Sequence, residues 1–255
     1  MSKWVRFERN GQIGFGTIED ENIAVYEGEM FTAPNRTGQM FALGDVELIT
    51  PCEPSKMICL WNNFRALAAK FNFAEPAEPL YFLKAQTAFQ PGNRRIPRPK
   101  NYSGRVVFEG ELGIVIGKRC KAVSEAEAPK HVFGFTCVND VTAFDLLNKD
   151  PSFQQWTRAK SFDGFGVFGP AIATGLDPHA LIIRTLLNGK ERQSYLVADM
   201  FFEPYRLVSL ISQDLTLLPG DIISCGTSLG SGSMKPGITI EVVIDGIGTL
   251  SNIME

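Results

Sequence analysis

The sequence predicts a mainly β protein with a few α/β elements and a small β region at its N-terminus. Two Asn-Gly pairs, Asn10-Gly11 and Asn188-Gly189, each separate apolar runs of strand length, and this pair is a strong signal for a hairpin turn. From Leu181 to the end the pattern is almost wholly strand-like, with one helix expected at Pro204–Ser212. Hydrophobic residues make up 44% of the 255-residue chain, which is enough to bury a sizeable core.

Residues 1–50 are predicted to form a small β domain, with residues 51–255 forming the larger domain. The boundary is expected near Pro51 and Pro54. Clustered chemistry is absent from residues 1–50, so the functional residues are expected after the boundary. The predicted strands of the small domain are Trp4–Phe7, Ile13–Ile18, Ile23–Tyr26 and Val46–Ile49.

The larger domain is expected to begin with the buried strand Met57–Trp61, followed by a turn or helix cap at Asn62-Asn63. Apolar residues at helical spacing predict a short amphipathic helix over Phe64–Phe71. Further expected elements are a strand at Leu80–Leu83, a short acidic helix at Ser124–Pro129, and strands at Val132–Val138, Leu181–Leu187, Gln193–Val197, Ile222–Cys225 and Thr239–Ile244.

Composition excludes several classes of protein. The net charge of −3 disfavours a dedicated nucleic-acid binder, whose surface is usually strongly basic. The chain has neither an 18-residue apolar run nor an apolar N-terminal leader, so we expect no membrane span and a cytoplasmic location. Its five cysteines are never spaced as CxxC, which indicates reduced, buried thiols instead of disulfides or a zinc site.

The run Val106–Lys118 is predicted to be a strand with two carboxylates in its middle. Side chains alternate along a strand, so Glu109 and Glu111 are expected side by side on one face. Between apolar neighbours, two like charges resist ionisation unless a cation lies between them. The alternative is a pair of acids on a solvated strand face.

Asp140 is expected where the strand Val132–Val138 ends and the chain turns, a common place for a functional side chain. With Glu109 and Glu111 it makes a set of oxygen ligands without a nearby His or Cys cluster. Such a set suits Mg²⁺, Mn²⁺ or Ca²⁺ better than zinc or copper.

Three other segments leave two interpretations open. The basic run Gln90–Lys100 is either a solvated loop or a patch that steers an anionic substrate. The glycine-serine loop from Gly226 to Pro236 either holds an anion through its backbone N–H groups or is a flexible connection. Lys160 is either an exposed tether or a cation that holds an anion or stabilises an enolate. The GxGxxG at 164–169 is not a dinucleotide motif, because a strand is predicted after it where that motif requires a helix.

In combination these segments resemble the fumarylacetoacetate hydrolase superfamily over roughly residues 57–253. The matching segments, in chain order, are FLK at Phe82–Lys84, EGELGIVIGK at Glu109–Lys118, FGFTCVNDVTA at Phe133–Ala143, AKSFD at Ala159–Asp163, GP at Gly169-Pro170, NGKERQ at Asn188–Gln193, LLPGDII at Leu217–Ile223, GTSLGSG at Gly226–Gly232 and IDGIGTLSN at Ile244–Asn252.

The resemblance implies a mixed β-roll domain, usually a homodimer, that acts on small 2-oxo acids, often dicarboxylates. It implies one Mg²⁺ or Mn²⁺, with Ca²⁺ as a substitute, held by the residues matching Glu109, Glu111 and Asp140. The metal then acts as a Lewis acid that stabilises an enolate. The resemblance further implies Lys160 as the catalytic residue that complements negative charge on the substrate. The residues that it implies in substrate binding are Lys84, Gln193, Gly226 and Thr227.

The chain departs from the family pattern at two places. Many relatives carry a histidine and, three residues later, a glutamate that activate water or transfer protons; the aligned positions here hold Leu67 and Lys70. Relatives also often have an arginine and a glutamine after the Asn-Asp pair, where this chain has Phe144 and Leu147. The metal ligands are therefore expected, while the usual groups for proton transfer and carboxylate anchoring are missing.

Three functions remain open at this point. The first expectation is cleavage of a C–C bond in a 2-oxo acid such as an acylpyruvate, by hydrolysis or decarboxylation. Decarboxylation tolerates the missing residue pair better, because it needs no activated water. The second is an isomerase or tautomerase of a 2-oxo or 2-hydroxy-enoic dicarboxylate. The third is a protein that binds a metal–oxoacid complex without catalysis.

Overall fold

The computed structural model describes all residues from 1 to 255, and the N-terminal region is built from antiparallel strands. Four of its five strands lie where apolar alternation predicts them. The strand at 33–42 was not predicted, because it is mostly exposed and contains Pro34 and Gly38. The strands are β1 (Lys3–Arg9), β2 (Gln12–Glu19), β3 (Asn22–Glu29), β4 (Ala33–Ala42) and β5 (Glu47–Leu48).

The larger domain holds the remaining strands and three α-helices. Its first half contains β6 (Met57–Trp61), α1 (Arg65–Phe71), β7 (Leu80–Lys84), β8 (Phe89–Gln90), β9 (Arg95–Ile96), β10 (Val106–Phe108), β11 (Gly110–Ile116), β12 (Val132–Asp140) and β13 (Thr142–Ala143). Its second half contains α2 (Trp156–Lys160), β14 (Gly166–Ala173), β15 (Ile182–Leu187), β16 (Lys190–Leu196), α3 (Pro204–Asp214), β17 (Ile222–Ser224), β18 (Gly232–Ser233), β19 (Thr239–Ile244) and β20 (Gly248–Met254). No helix is long and apolar enough to cross a membrane.

Three sheets organise these strands. The large sheet has the order β4-β3-β2-β1-β14-β12-β11-β17-β6-β7, with β5 added beside β1 and β8 beside β14. A small sheet has the order β13-β10-β18, and a third has the order β16-β15-β19-β20-β9. Strand β1 pairs with β14 through Lys3 opposite Ala173 and Trp4 opposite Ile172. The N-terminal region therefore extends the main sheet of the larger domain.

The principal core lies where the large sheet, the third sheet and α3 meet. Buried residues from β11, β15, β19 and α3 belong to one cluster, among them Ile114, Ile183, Val242 and Leu207. All five cysteines are free and buried, as the sequence predicts. Burial raises the pKa of Cys137 to about 12, so that thiol stays protonated. The mainly β fold with few helices agrees with the fold class predicted from the sequence.

The run Val106–Lys118 is not one strand, contrary to the sequence prediction. It breaks at Glu109, so that β10 joins the small sheet and β11 joins the large one. The next residue, Gly110, has no room for a side chain, because a Cβ there would lie 2.0 Å from Thr185 Oγ1 of the third sheet. The break therefore places Glu109 at the junction of the sheets.

Two local predictions need correction, and a third is confirmed. The acidic segment Ser124–Pro129 does not form the expected helix; a short 3₁₀ helix at Ala128–His131 overlaps its end, with proline in its first turn. The side chain of Asn63 does not cap α1, since it donates to the carbonyls of Phe202 and Cys225. The last two glycines of the GxGxxG lie in β14, which confirms that no dinucleotide motif is present.

We predict that Gly110→Ala lowers the free energy of unfolding by about 1–3 kcal/mol, because the added methyl group overpacks a buried junction. Urea denaturation measures the change. Gly44→Ala is the control, since a Cβ at Gly44 meets no atom within 4 Å. Adding Thr185→Ala to Gly110→Ala should recover part of the loss; equal stability of Gly110→Ala and the wild type would contradict the steric argument.

Candidate metal-binding site

Three carboxylates from neighbouring strands converge at the sheet junction. Glu109 lies between β10 and β11, Glu111 lies in β11, and Asp140 ends β12. Each offers one oxygen, and these oxygens all lie within 4.8 Å of one another. The Asn139 side chain accepts from the Glu109 backbone N–H at 3.1 Å, and the Glu109 carbonyl accepts from the Asp140 N–H at 2.9 Å. The structure thus brings together the three ligands expected from the sequence.

Glu111 is held from one side only. Its Oε2 accepts from Ser224 Oγ at 2.5 Å and from the Gly226 backbone N–H at 2.9 Å. Its Oε1 is buried and has no hydrogen-bond partner in the protein. The anion that the Gly226 N–H group binds is therefore a carboxylate of the protein itself.

Two buried lysines compensate the charge of these carboxylates. Lys160 Nζ donates to Glu109 Oε2 and to Asp140 Oδ2, both at 2.7 Å. Lys84 Nζ lies 2.6 Å from Asp140 Oδ1, but its hydrogen bonds go to the carbonyls of Val141, Lys160 and Phe165. Asp140 Oδ1 therefore forms a buried ion pair with Lys84.

The pKa directions follow from burial and from these charges. Burial raises the pKa of Glu111 well above its usual range, and the negative charges of Asp140 and Glu109 add to the effect. Burial also opposes ionisation of Asp140, but the ammonium groups of Lys160 and Lys84 outweigh it and lower the Asp140 pKa. Burial opposes the charged form of Lys160 too, yet the surrounding carboxylates raise its pKa. Lys160 therefore remains an ammonium.

The residues fit a divalent cation with a preference for oxygen. Glu111 Oε1 is a buried acceptor without a partner, and an unpartnered buried carboxylate oxygen costs free energy. When all three carboxylates are ionised, as they are when they hold a cation, the two ammonium groups leave one negative charge on the buried protein groups. Carboxylate oxygens are the ligands that Mg²⁺, Mn²⁺ and Ca²⁺ accept, so Glu109, Glu111 and Asp140 would hold such an ion.

A cavity of about 350 Å³ opens above these residues. Glu109, Lys160, Thr227 and Ser231 contribute charged and hydroxyl groups to its lining. Most of the other lining residues cannot be recognised from the sequence, because the spacing of aromatic and amide residues does not indicate that they share a pocket. Those lining residues are Leu60, Trp61, Asn62, Leu67, Phe71, Phe73, Phe82, Phe144, Leu147, Asn148, Gln154 and Trp156.

Of the residues expected to bind substrate, Thr227 lines the cavity, whereas Lys84, Gln193 and Gly226 do not. Gln193 is buried and bridges two parts of the site: its Oε1 accepts from the Gly110 N–H at 3.1 Å, and its Nε2 donates to Thr227 Oγ1 at 2.9 Å. Lys84 lies beside Asp140, and the Gly226 N–H group donates to Glu111. Their observed contacts are with the site itself, and direct contact with substrate stays a prediction.

Two further hydroxyl groups support the site and were missed in the sequence. Thr142 Oγ1 donates to Glu109 Oε1 at 3.1 Å, and Tyr195 donates to the Gly110 carbonyl. Thr142 lies two residues after Asp140, and the alternation of side chains in an extended chain indicates that both point to the same side. The basic run Gln90–Lys100 contributes no residue to the cavity, and its Arg94 pairs with exposed Glu47 at 2.7 Å.

We predict that Glu109→Gln weakens Mn²⁺ binding by about tenfold or more, because it removes a charged ligand and retains the shape of the side chain. Isothermal titration calorimetry on the metal-free protein measures the affinity. Glu125→Gln, an exposed substitution outside the cluster, is the control. Equal affinity in Glu109→Gln and the control would remove Glu109 from the ligand set.

Comparison with known proteins agrees with this arrangement. Residues 56–254 match the fumarylacetoacetate (FAA) hydrolase C-terminal family, and residues 2–51 match the Rv2993c-like N-terminal family. A 2-hydroxyhepta-2,4-diene-1,7-dioate isomerase from Mycobacterium marinum has a similar structure, with a TM-score of 0.91 and 38% identity over 100% of this chain and 98% of that one.

Two relatives with named activities are similar in sequence. The oxaloacetate tautomerase YisK of Bacillus subtilis is 34% identical over 84% of this chain and 74% of its own length. A 4-hydroxyphenylacetate degradation bifunctional isomerase/decarboxylase of Salmonella dublin is 36% identical over 91% of this chain, which spans 52% of that protein. With the family match covering most of the chain and the carboxylate cluster in place, the chain belongs to the fumarylacetoacetate hydrolase superfamily.

Proposed function

We propose that this chain is a metal-dependent isomerase or tautomerase of a small 2-oxo or 2-hydroxy-enoic acid. The observation that carries the proposal is a cavity whose lining has only two ionisable side chains, Glu109 and Lys160. Both belong to the carboxylate cluster at its base. The named activities of the M. marinum and B. subtilis relatives support the same class of reaction.

The cavity offers little for activating a water molecule. Leu67 lines it where many relatives have a histidine, and His131 and His179 are not among the lining residues. Hydrolysis requires a base beside the attacking water. Tautomerisation uses no water: a proton passes from the carbon next to the 2-oxo group to a base, for which Glu109 is the one carboxylate in the lining, and a proton is delivered to the oxygen, or the reverse.

The roles of the chain's own residues follow from their positions. A divalent ion bound by Glu109, Glu111 and Asp140 would supply Lewis acidity toward the 2-oxo group. Lys160 holds a proton at Nζ beside that position and stabilises negative charge that develops on the substrate oxygen. Thr227 presents its hydroxyl group at the polar end of the cavity, where Gln193 fixes its orientation.

Cleavage of a C–C bond, the first expectation from the sequence, is the second candidate. The S. dublin relative is named as both an isomerase and a decarboxylase, so decarboxylation on the same scaffold has support. Decarboxylation shares with tautomerisation the need to stabilise an enolate and needs no base for water. Hydrolysis has the weaker support of the two kinds of cleavage.

A turnover assay separates these reactions. The full-length protein with Mg²⁺ or Mn²⁺ is mixed with the enol forms of oxaloacetate and phenylpyruvate, and enol absorbance and released CO₂ are followed together. We expect faster loss of enol absorbance without CO₂ release beyond the uncatalysed rate. Catalysed CO₂ release would favour decarboxylation, and the uncatalysed rate for both acids would overturn the proposal.

We predict that Lys160→Met lowers kcat by about a hundredfold or more, because it removes the ammonium that stabilises negative charge in the transition state. Mn²⁺ affinity should stay the same or increase, since Glu109 and Asp140 lose a competing cation. Arg158→Met, an exposed change on the same helix, is the control. Wild-type kinetics in Lys160→Met would assign the lysine a purely structural role.

The homodimer implied by the family resemblance is also proposed for this chain. Light scattering on the purified protein gives the mass of the assembly directly. A mass of twice the single chain supports the proposal, and a monomer at micromolar concentration contradicts it.

A further inference from the structure

An unbroken series of aromatic rings leads from the carboxylate cluster to the mouth of the cavity. We call it the aromatic ladder; in order outward it consists of Phe82, Trp156, Trp61, Phe73 and Phe71, all of which line the cavity. Lys160 Nζ lies 4.9 Å from the centre of the Phe82 ring. Successive ring centres then lie 5.1, 6.2, 5.3 and 5.7 Å apart. These contacts join the reactive end of the cavity to its entrance.

The outer part of the cavity offers no cation to a ligand. Two of its amide side chains are engaged with each other and with the ladder: Gln154 accepts from Trp156 Nε1 at 3.0 Å and donates to Asn148 Oδ1 at 3.1 Å. The third, Asn62, donates to the Ala74 carbonyl at 3.0 Å, and its unpartnered Oδ1 is an acceptor that offers nothing to a carboxylate. The one lining cation, Lys160, is committed to Glu109 and Asp140 at the inner end. Phe144 and Leu147 extend the apolar lining.

The charge of the inner site matches a single carboxylate. The two lysines leave the three carboxylates with one uncompensated negative charge, and a divalent ion would turn this into one positive charge. A 2-oxo acid with one carboxylate neutralises that charge. A second carboxylate at the far end of the ligand would lose its hydration against aromatic faces, which are the negative side of the ring quadrupole.

We propose that the aromatic ladder selects ligands whose reactive end is a 2-oxo acid and whose far end is apolar and planar, over ligands that end in a second carboxylate. The inference rests on the proposed function, since it concerns the same cavity, and it narrows the substrate class. It departs from the dicarboxylates that the family resemblance includes. Planar groups stack on the rings, and this burial adds to the affinity.

Two unreactive ligands with the same reactive end test the selection without turnover. Oxanilate carries a phenyl group on an oxamate, and N-oxalylglycine carries a carboxymethyl group on the same oxamate. Isothermal titration calorimetry on the full chain loaded with Mn²⁺ gives both affinities. We expect oxanilate to bind at least tenfold more tightly. Comparable affinities, tighter binding of N-oxalylglycine, or no binding of either ligand would overturn the inference.

A matched pair of variants assigns the selection to the ladder. Phe71 is 56% exposed at the outer end of the ladder, so Phe71→Arg should fold, and it adds a cation to a lining whose one cation is Lys160. We expect it to tighten N-oxalylglycine about threefold to tenfold and to weaken oxanilate. Phe153→Arg is the control, since Phe153 is 68% exposed and does not line the cavity.

The results separate this inference from the proposed function. An affinity ratio that is unchanged in Phe71→Arg, or that changes equally in Phe153→Arg, overturns the role of the ladder. Selective binding of oxanilate by a protein that fails to convert either enol in the turnover assay supports the inference and overturns the proposed function alone.

Discussion

The structure depends on the burial of three carboxylates at one point. Such a cluster is strongly unfavourable without compensation, because each anion loses its hydration and repels the other two. Lys84 and Lys160 provide part of the compensation, and Ser224 and the Gly226 N–H group provide hydrogen bonds to Glu111. What remains is a negative site with an unpartnered Glu111 oxygen, which a divalent cation would complete.

The sheet junction is what gives the cluster its geometry. Glu109 belongs to the break between two sheets, Glu111 to the large sheet, and Gln193 reaches the Gly110 N–H group from the third sheet. Each sheet therefore contributes to the position of the same short segment. A rigid arrangement of this kind keeps the ligand oxygens apart at fixed distances and leaves the cavity above them to determine which ligand enters.

The sequence predicts the parts of the fold and site that depend on local patterns. Alternation predicts most strands, and the spacing of Glu109 and Glu111 predicts their common direction. The break at Glu109 was not predictable, because β10 and β11 join different sheets whose other strands lie far away in the chain. The support role of Lys84 was likewise hidden, since a lysine at the end of a strand is usually exposed.

The aromatic ladder could not be predicted from the sequence either. Trp61, Phe82 and Trp156 stand in separate elements, and nothing in their spacing indicates that their rings meet. The sequence does contain the complementary signal: Phe144 and Leu147 occupy positions where relatives often have polar anchors. The consequence of these two apolar residues becomes clear only in the structure, where both line the same cavity.

The pairing of β1 with β14 links the N-terminal region to the site through backbone hydrogen bonds, and Trp4 packs against Phe133 of β12. Strand β14 lies between β1 and β12, and β12 carries Asp140 at its end. Only one strand therefore separates residues 1–50 from the strand that carries a proposed metal ligand. Lys3 and Phe135 both pair with Ala173 of β14, so β1 borders β12 at the end away from Asp140. Insertions, deletions or fusions near residue 3 therefore act on the same sheet that carries Asp140.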